Sequence, residues 1–399
     1  MKARDVILAI LIIAFGLSIK YARSIKEEIS AIFHGKETFD FEEALSFDGR
    51  NYIQIEGKSL NITLEGWDGD RIEGKLIKSV YAFSREDAEE FAKEIKLERE
   101  LGKDSLKLRI LSPSSFEYSF FFKFFWYKFS PDITLNLKVP KKSSIRIISE
   151  HSDIDISGVK NSSEIENTHG NIKIMDCEGN LSIKNPHGDI EVKNLKGDIK
   201  IFSPHSSVNI EGASSAEIEA GFEDINLKNL KNLKLITKHA PVEISEINGE
   251  IYIENKHSEV RIKDSKLKGK IEGEHLEIDG DGIMSEELQI VNSYEPIILR
   301  NFSGKGKIYS RHNEIEIDVG KGSNLEIECE YSDITLNLDE EWKGEISLDA
   351  YQGEVDVSNL PLNIEGEGTR KIFRANLGGN NILSVKTTYG KILINKRVR

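Results

Sequence analysis

The chain has 399 residues, of which 31% are charged, and a formal net charge of -14. This length suits either one long repeat domain with a cap or two to three ordinary domains. The acidic balance, with no basic stripe to meet phosphates, excludes a nucleic-acid partner.

The first element is an apolar run from Val6 to Ile19, which follows Lys2 and Arg4. It is shorter than the roughly 20 residues of a typical spanning helix, so an uncleaved signal anchor, a cleaved signal and a buried helix all remain open. Basic residues at Lys20 and Arg23 disfavour cleavage, so we predict a transmembrane signal anchor over residues 1–23. The flanking charges do not set its orientation, and we expect the remainder to be extracytoplasmic.

A polar stalk is predicted over residues 24–37, followed by a β-rich cap over residues 38–140. The cap contains one helix, which begins near Ser84 and has an apolar stripe at Ala88, Phe91, Ala92 and Ile95. The cap either closes the open first coil of the following repeats or forms an independent binding domain, and the first interpretation is favoured.

Residues 116–129 of the cap form an insert of unusual composition, FEYSFFFKFFWYKF. If buried, this insert is a hydrophobic hairpin; if exposed, it needs a partner or a bilayer. Its aromatic residues with interspersed lysines suit a membrane interface. The candidate residues for membrane or partner contact are Phe120, Phe121, Phe122, Phe124, Phe125, Trp126 and Tyr127.

From residue 141 to residue 399 one short unit recurs about every 18 residues, which is the mark of a solenoid. Within each unit, apolar residues alternate in two short stretches on either side of an anchor position, as in Leu181 and Ile183 before His187 and in Ile190 and Val192 after it. Such period-2 patterns predict strands with one buried face, and the intervening Gly, Asn, Asp and Ser residues predict corners. We therefore predict an all-β fold, a single-stranded parallel β-helix of about 13 coils.

The anchor position is almost always aromatic or histidine. Because it has the same parity as a buried Asn or Ser position two residues earlier, we expect the anchors to face inward and to stack in a column. The Asn side chains two residues earlier are expected to hydrogen-bond to one another along the stack. The predicted stacking ladder consists of His151, His169, His187, His205, Phe222, His239, His257, Tyr294, His312, Tyr331 and Tyr389, and His275 holds the same position in its coil. Near Tyr351 the register slips, and Gln352 takes the anchor position.

A column of histidines must also be considered as a metal site. Zinc needs three or four ligands around one point, whereas a straight ladder supplies a line, so stacking is favoured and no metal is predicted. Cys177 and Cys329 lie about eight coils apart and cannot form a disulfide with each other, so inert thiols are expected. The acids recur at outward repeat positions, which the repeat itself explains, and we find no nucleophile elbow or phosphate loop. No catalytic residues and no cofactor are predicted.

Several motifs together resemble the β-strand-repeat family whose members are called "putative adhesins", a domain of unknown function also described as toastrack-like. The motifs are His187-Gly188-Asp189-Ile190, Lys196-Gly197-Asp198-Ile199, Tyr389-Gly390-Lys391-Ile392, the turn from Glu65 to Asp70, the helix from Ser84, and Leu137 to Pro140. The resemblance spans about residues 48–394 and implies a β-helical protein of the cell envelope or membrane. It brings no catalytic residues.

The sequence therefore predicts a non-enzymatic, single-pass membrane-anchored β-solenoid that acts as an interaction or scaffold module. Its expected partners are the membrane, envelope glycans or proteins, or its own copies. A carbohydrate-active β-helix enzyme and a self-polymerising scaffold similar to bactofilins are the alternatives.

Overall fold

The computed structural model describes residues 37–82, 85–113, 116–119, 126–129, 131–360, 364–365 and 369–397. The predicted anchor over residues 1–23 and nearly all of the stalk lie outside these ranges. Within them, no helix is both long and apolar enough to cross a membrane.

The N-terminal part contains one helix among strands. Its elements are β1 (Glu37–Asp48), β2 (Tyr52–Lys58), β3 (Leu60–Trp67), β4 (Arg71–Ala82), α1 (Arg85–Glu94), β5 (Lys96–Leu101), β6 (Ser105–Leu111), β7 (Phe116–Ser119), β8 (Trp126–Phe129) and β9 (Asp132–Pro140). The predicted helix is therefore present, and it packs through Ala88 and Ala92 against Val80 of β4 and the rings of Phe39 and Phe41.

In the repeat region, every regular element among the described residues is a strand. They are β10 (Ser144–Glu150), β11 (Ile154–Ser157), β12 (Ser163–Glu166), β13 (Ile172–Met175), β14 (Leu181–Lys184), β15 (Ile190–Lys193), β16 (Asp198–Ser203), β17 (Val208–Ala220), β18 (Ile225–Ile236), β19 (Val242–Ser245), β20 (Asn248–Ser293), β21 (Ile297–Arg311), β22 (Glu314–Val319), β23 (Asn324–Glu330), β24 (Asp333–Leu338), β25 (Gly344–Tyr351), β26 (Glu354–Ser358), β27 (Ile364–Glu365), β28 (Arg370–Asn376), β29 (Asn381–Thr388) and β30 (Lys391–Lys396). Some strands, above all β20, continue without a break around a corner and so contribute to both stacks described next.

The coils stack into two rows of parallel strands. The first stack runs β6, β2, β10, β12, β14, β16, β17, β18, β20, β21, β23, β29, β25, and the second runs β9, β3, β11, β13, β15, β17, β18, β19, β20, β21, β22, β24, β30, β26. Pairing is in register, so Ile172 lies beside Ile190, and Ile190 beside Val208. A parallel β-solenoid, as the apolar spacing predicts, is the fold.

The core is continuous along the solenoid axis. Ile154, Ile172, Ile190 and Val208 are each at most 1% exposed. A further buried column lies at the corner after the second strand of each coil, where Val159, Cys177 and Leu195 succeed one another. Because each coil is one strand thick, only its neighbours above and below can cover its apolar faces, so the core requires the stack.

The predicted boundary at residue 140 does not separate two kinds of structure. Strands β2 and β6 belong to the first stack, and β3 and β9 to the second, so residues placed in the cap form the first coils of the solenoid. They escaped the repeat pattern because α1 and strands β4, β5, β7 and β8 interrupt them in sequence. The spatial order is also not the chain order, since β2 and β3 lie between β10–β11 and the later strands β6 and β9.

At the C-terminal end, too, the spatial order of the coils differs from the chain order. Strand β29 pairs with both β23 and β25, and β30 pairs with both β24 and β26. The last segment of the chain is therefore an interior coil, and the preceding segment lies outside it.

Antiparallel strands cover the terminal coils. β5 pairs with β6, β4 pairs with β9 and β1 with β4 at the N-terminal end, while β28 pairs with β25 at the other end. A reversed strand satisfies the hydrogen bonds of the edge that another copy would otherwise extend.

Candidate functional site

The rings at the anchor position form one ladder along a corner of the solenoid. Neighbouring ring centroids are 4.4 to 5.7 Å apart, with interplanar angles from 2° to 18°. The ladder consists of His151, His169, His187, His205, Phe222, His239, His257, His275, Tyr294, His312, Tyr331 and Tyr389.

The expected inward direction of these side chains is wrong. Phe222, Tyr331 and Tyr389 are 52%, 50% and 48% exposed, so the ladder lies on the outside. Strand parity does not continue through a corner, because a left-handed residue there reverses the side on which the next side chains lie. His151 and Tyr331 have φ values of 54° and 53°, and after His187 it is Gly188 that takes the positive φ.

Two residues without rings bound the ladder. Lys58 pairs with Glu150, so the residues that follow them, Ser59 and His151, lie in neighbouring positions. Ser59 has a φ of 49°. At the other end, Tyr389 follows Thr388, which pairs with Tyr351, so Gln352 lies in the next position with a φ of 52°. Gln352 therefore occupies the anchor position as expected, but beyond Tyr389, because β25 lies outside β29.

The buried column two residues before the ladder fixes the corner. The Nδ2 atom of Asn185 donates to the carbonyl oxygens of Gly170 at 3.0 Å and Gly188 at 3.2 Å. Asn167 and Asn292 make equivalent bonds, in each case to one carbonyl of their own corner and one of the preceding coil. The expected hydrogen bonds from one Asn side chain to the next do not form in this column, because the corner carbonyls are the nearer acceptors.

A second polar column stands two residues after the ladder. Asp153 Oδ1 accepts from the backbone N–H of Asn171 at 2.7 Å, and Asn171 Oδ1 accepts from that of Asp189 at 3.0 Å. Asp189 in turn accepts from the Ser207 hydroxyl at 2.6 Å. These acids cap the next coil, and this structural role explains why they recur.

The environment of His169 in the ladder disfavours the charged form of its imidazole. Desolvation, followed by the neighbouring His151 and His187, lowers the pKa of His169. In the described part of the chain, no three His, Cys, Asp or Glu side chains come together in a way that could hold a metal ion. Parallel rings direct their in-plane lone pairs sideways and not toward a common point, which is unsuitable for tetrahedral zinc.

The acids whose pKa clearly departs from its usual value are all shifted downward. Hydrogen bonds from Lys107 and Arg109 lower the pKa of Glu56 to about 2, and those from Lys234 and Lys200 lower the pKa of Glu217. Burial raises the pKa of the thiols of Cys177 and Cys329, which are both free. These shifts hold the carboxylates ionised and the thiols protonated, which are the resting states of structural groups.

The aromatic insert forms a separate small sheet. β7 and β8 pair antiparallel, with Phe116 opposite Phe129 and Tyr118 opposite Tyr127. Of the predicted contact residues, Trp126 and Tyr127 lie on β8, whereas Phe120, Phe121, Phe122, Phe124 and Phe125 lie outside the described residues.

The solved structures that share some likeness have low similarity. A "putative cell adhesion protein" from Clostridium sporogenes is 13% identical and has a TM-score of 0.18, with 90% of this chain and 100% of that chain covered. A "putative adhesin" from Parabacteroides distasonis is 9% identical, with a TM-score of 0.21 and coverages of 90% and 97%. A "putative lipid binding protein" from the same organism is 12% identical, with a TM-score of 0.21 and coverages of 91% and 97%. Values this low carry no conclusion about function.

A search of curated proteins found no match. The model of the toastrack DUF4097 family, in contrast, matches residues 86–395, which is most of the chain and all of its later coils. The chain therefore belongs to the toastrack DUF4097 family.

Proposed function

We propose that the chain is a membrane-anchored, non-enzymatic β-solenoid that serves as an interaction or scaffold module of the cell envelope, on the extracytoplasmic side. The observation that carries this proposal is the ladder, an unbroken row of half-exposed rings along the solenoid. A continuous row of exposed rings is typical of contact surfaces.

Two further observations support a binding role over catalysis. The carboxylates with shifted pKa values are held ionised by Lys or Arg, whereas a general acid needs a raised pKa. The capping strands β5, β4 and β28 argue against end-to-end polymerisation, because they occupy the edges on which a copy would have to stack.

Sedimentation with isolated cell envelopes tests the interaction role. With residues 1–36 and 116–129 removed, so that neither candidate membrane segment can attach it, the protein should still bind envelopes of the cells that produce it. The combined change Phe222→Ser, Tyr294→Ser and Tyr331→Ser should remove most of this binding. Phe202→Ser is the control, since Phe202 is an exposed ring outside the ladder. No binding by the protein without these substitutions would refute the proposal. Equal binding by the triple variant would show that the ladder is not the contact surface.

The aromatic insert is proposed as a second membrane contact. The hairpin β7–β8 connects β6 to β9, the terminal coil, and β1, which follows the predicted stalk, covers that same end. Both candidate membrane segments are therefore joined in sequence to the N-terminal end of the solenoid. With residues 1–36 removed, the chain should bind liposomes, and further deletion of residues 116–129 should abolish this binding. Equal binding by both proteins, or none by either, would reject the contact.

The two competing functions have their own tests. A carbohydrate-active enzyme would release products from a polysaccharide panel, and a self-polymerising scaffold would form filaments from the purified chain. We expect neither product release nor filaments.

A further inference from the structure

A groove of about 810 Å³ runs across the outer face of the first stack. It crosses strands β2, β10, β12, β14, β16, β17, β18 and β20. Since neighbouring strands are about 4.8 Å apart, the groove is on the order of 34 Å long. It is therefore straight and extended, a shape that suits a linear polymer better than a compact small molecule.

The floor of the groove is polar, and most of its side chains are uncharged. From strand to strand its outward column reads Ser162, Asn180, Asp198, Ser215, Asn232 and Glu250. The Glu250 carboxylate is paired with Lys268 at 2.8 Å. Asn232 Nδ2 donates to the Ser215 hydroxyl at 3.2 Å, while the Asn180 and Asn232 side-chain oxygens accept backbone N–H groups. Small side chains make the trough, and their hydroxyl and amide groups offer both donors and acceptors.

The charged side chains that border the floor are paired with one another. Glu217 lies 3.3 Å from Lys200 and 2.9 Å from Lys234, and Arg146 lies 3.1 Å from Glu164. Charges that are already paired gain little from a charged ligand. Asp198 adds an exposed carboxylate to the floor, which repels polyanions.

A tyrosine closes each end of the groove. The Tyr52 hydroxyl donates to Gln54, two residues along the same strand, at 3.2 Å. The Tyr252 hydroxyl donates to Glu272 of the next coil, and Glu254 of its own strand lies 3.4 Å away. These bonds fix the positions of the two rings at the ends of the groove. The rings of the ladder differ, because each ring face is covered by its neighbours and only ring edges reach solvent. Tyr52 and Tyr252, unlike the ladder, can offer a ring face to the flat apolar side of a sugar.

We propose that this groove binds an extended, uncharged glycan strand, with sugar hydroxyls on the Ser and Asn floor and a pyranose ring against each tyrosine. This rests on the proposed function, since it names the envelope partner. The hydroxyl and amide groups of the floor can exchange hydrogen bonds with sugar hydroxyls. The paired border and Asp198 select against acidic glycans.

Calorimetric titration of the full chain with cellohexaose, N-acetylchitohexaose and hexagalacturonate tests the proposal. We expect binding of at least one of the two neutral hexasaccharides and none of hexagalacturonate. Ser182 lies midway along the charged border, between Glu164 and Lys200. A Trp side chain at this position should fill the groove, so we expect Ser182→Trp to weaken binding about tenfold or more. Tyr252→Ala should weaken it several-fold.

Ser347→Trp is the matched control, because Ser347 is exposed on β25 of the same stack but outside the groove. It should bind as the unchanged chain does, and melting curves would show that both Trp variants fold. Failure of both neutral hexasaccharides, preference for hexagalacturonate, or equal affinity of Ser182→Trp and Ser347→Trp would each overturn the groove assignment. If such a result came with normal envelope sedimentation, the groove alone would be wrong, whereas lost sedimentation would refute the interaction role itself.

Discussion

At the scale of single residues, the corner decides how this solenoid is built. A backbone in the left-handed region is unfavourable for most side chains, yet histidines and tyrosines hold it at His257, Tyr294 and His312, with φ of 57°, 77° and 55°. Stacking on the rings above and below offsets this strain. Where an Asn precedes the ring, as Asn292 precedes Tyr294, its side chain also binds corner carbonyls from inside, so that corner is stabilised on both sides.

Replacing a buried Asn should therefore cost more than its size suggests. Asn185→Ala leaves the carbonyls of Gly170 and Gly188 without their side-chain donor in a buried corner. We expect a loss of about 1–3 kcal/mol in the free energy of unfolding, measured by urea denaturation. Asn209→Ala, at an exposed outward position of β17, is the control and should change the value little. Equal effects of the two changes would contradict the role given to Asn185.

His169 should make the stability of the protein depend on pH. Because the folded pKa of His169 is lowered, the unfolded chain takes up a proton first as the pH falls. The contribution is therefore present above the unfolded pKa of about 6.5 and is lost as the pH falls through the folded pKa. His151 and His187 face His169 from the coils on either side and lower its pKa further when they are charged. Urea denaturation at pH 8 and pH 5 should show a smaller acid loss for His169→Tyr than for the unchanged chain. A larger loss in the variant would contradict this sign.

At the scale of elements, the strands of each coil have no core of their own. Ile190 of β15 is 1% exposed and lies between Ile172 of β13 and Val208 of β17. Each such residue is covered from two neighbouring coils, so damage to one strand removes burial from three.

Ile190→Asp should consequently destabilise strongly. An unpaired carboxylate would lie between two apolar side chains, and we expect a cost of about 4 kcal/mol or more. Asn209→Asp, next to Val208 but directed outward, is the control and should be nearly neutral. The midpoint of thermal unfolding measures both, and an unchanged midpoint for Ile190→Asp would show that the inward face is wrongly assigned.

At the scale of the whole molecule, the order of the coils in space at both ends differs from their order in the chain. β29 and β30 lie between the coil of β23–β24 and the coil of β25–β26, and β28 covers β25. In chain order, the outer coil and its covering strand therefore precede the coil that lies beneath them. The terminal segment links the cap to the body of the solenoid.

Removing the last residues should therefore release the cap. In a solenoid with simple order, deleting residues 378–399 would shorten the stack by one coil and leave the remainder unchanged. Here residues 344–376 should lose the coil of β29 and β30 on which they stack. Their amide protons should then exchange rapidly with solvent, while those of β20 stay protected. Exposed edges of β23 and β24 should also make the protein associate as its concentration rises. Deletion of residues 398–399 alone is the control. Retained protection over residues 344–376 would contradict the interior position of β29.

The sequence alone determined the parts of the fold that repeat. A period of about 18 residues, with apolar alternation on either side of Ile183 and Ile190, defines coil, strands and buried face, because each coil obeys the same local rule. The recurrence of one ring in nearly every coil and the presence of α1 could equally be predicted from the sequence. Only the tertiary structure decided what depends on corners and on order in space. Strand parity cannot be carried through a left-handed residue such as His151. For this reason the sequence pattern predicts rings on the inside of the solenoid, whereas they lie on its outside. Sequence order likewise cannot reveal that β29 lies beneath β25 or that β2 lies between β6 and β10, because stacking joins coils by burial and hydrogen bonding, not by chain succession. The sequence could not predict the groove for the same reason. Tyr52 and Tyr252 come to lie on one surface only because seven successive strand pairings connect β2 to β20.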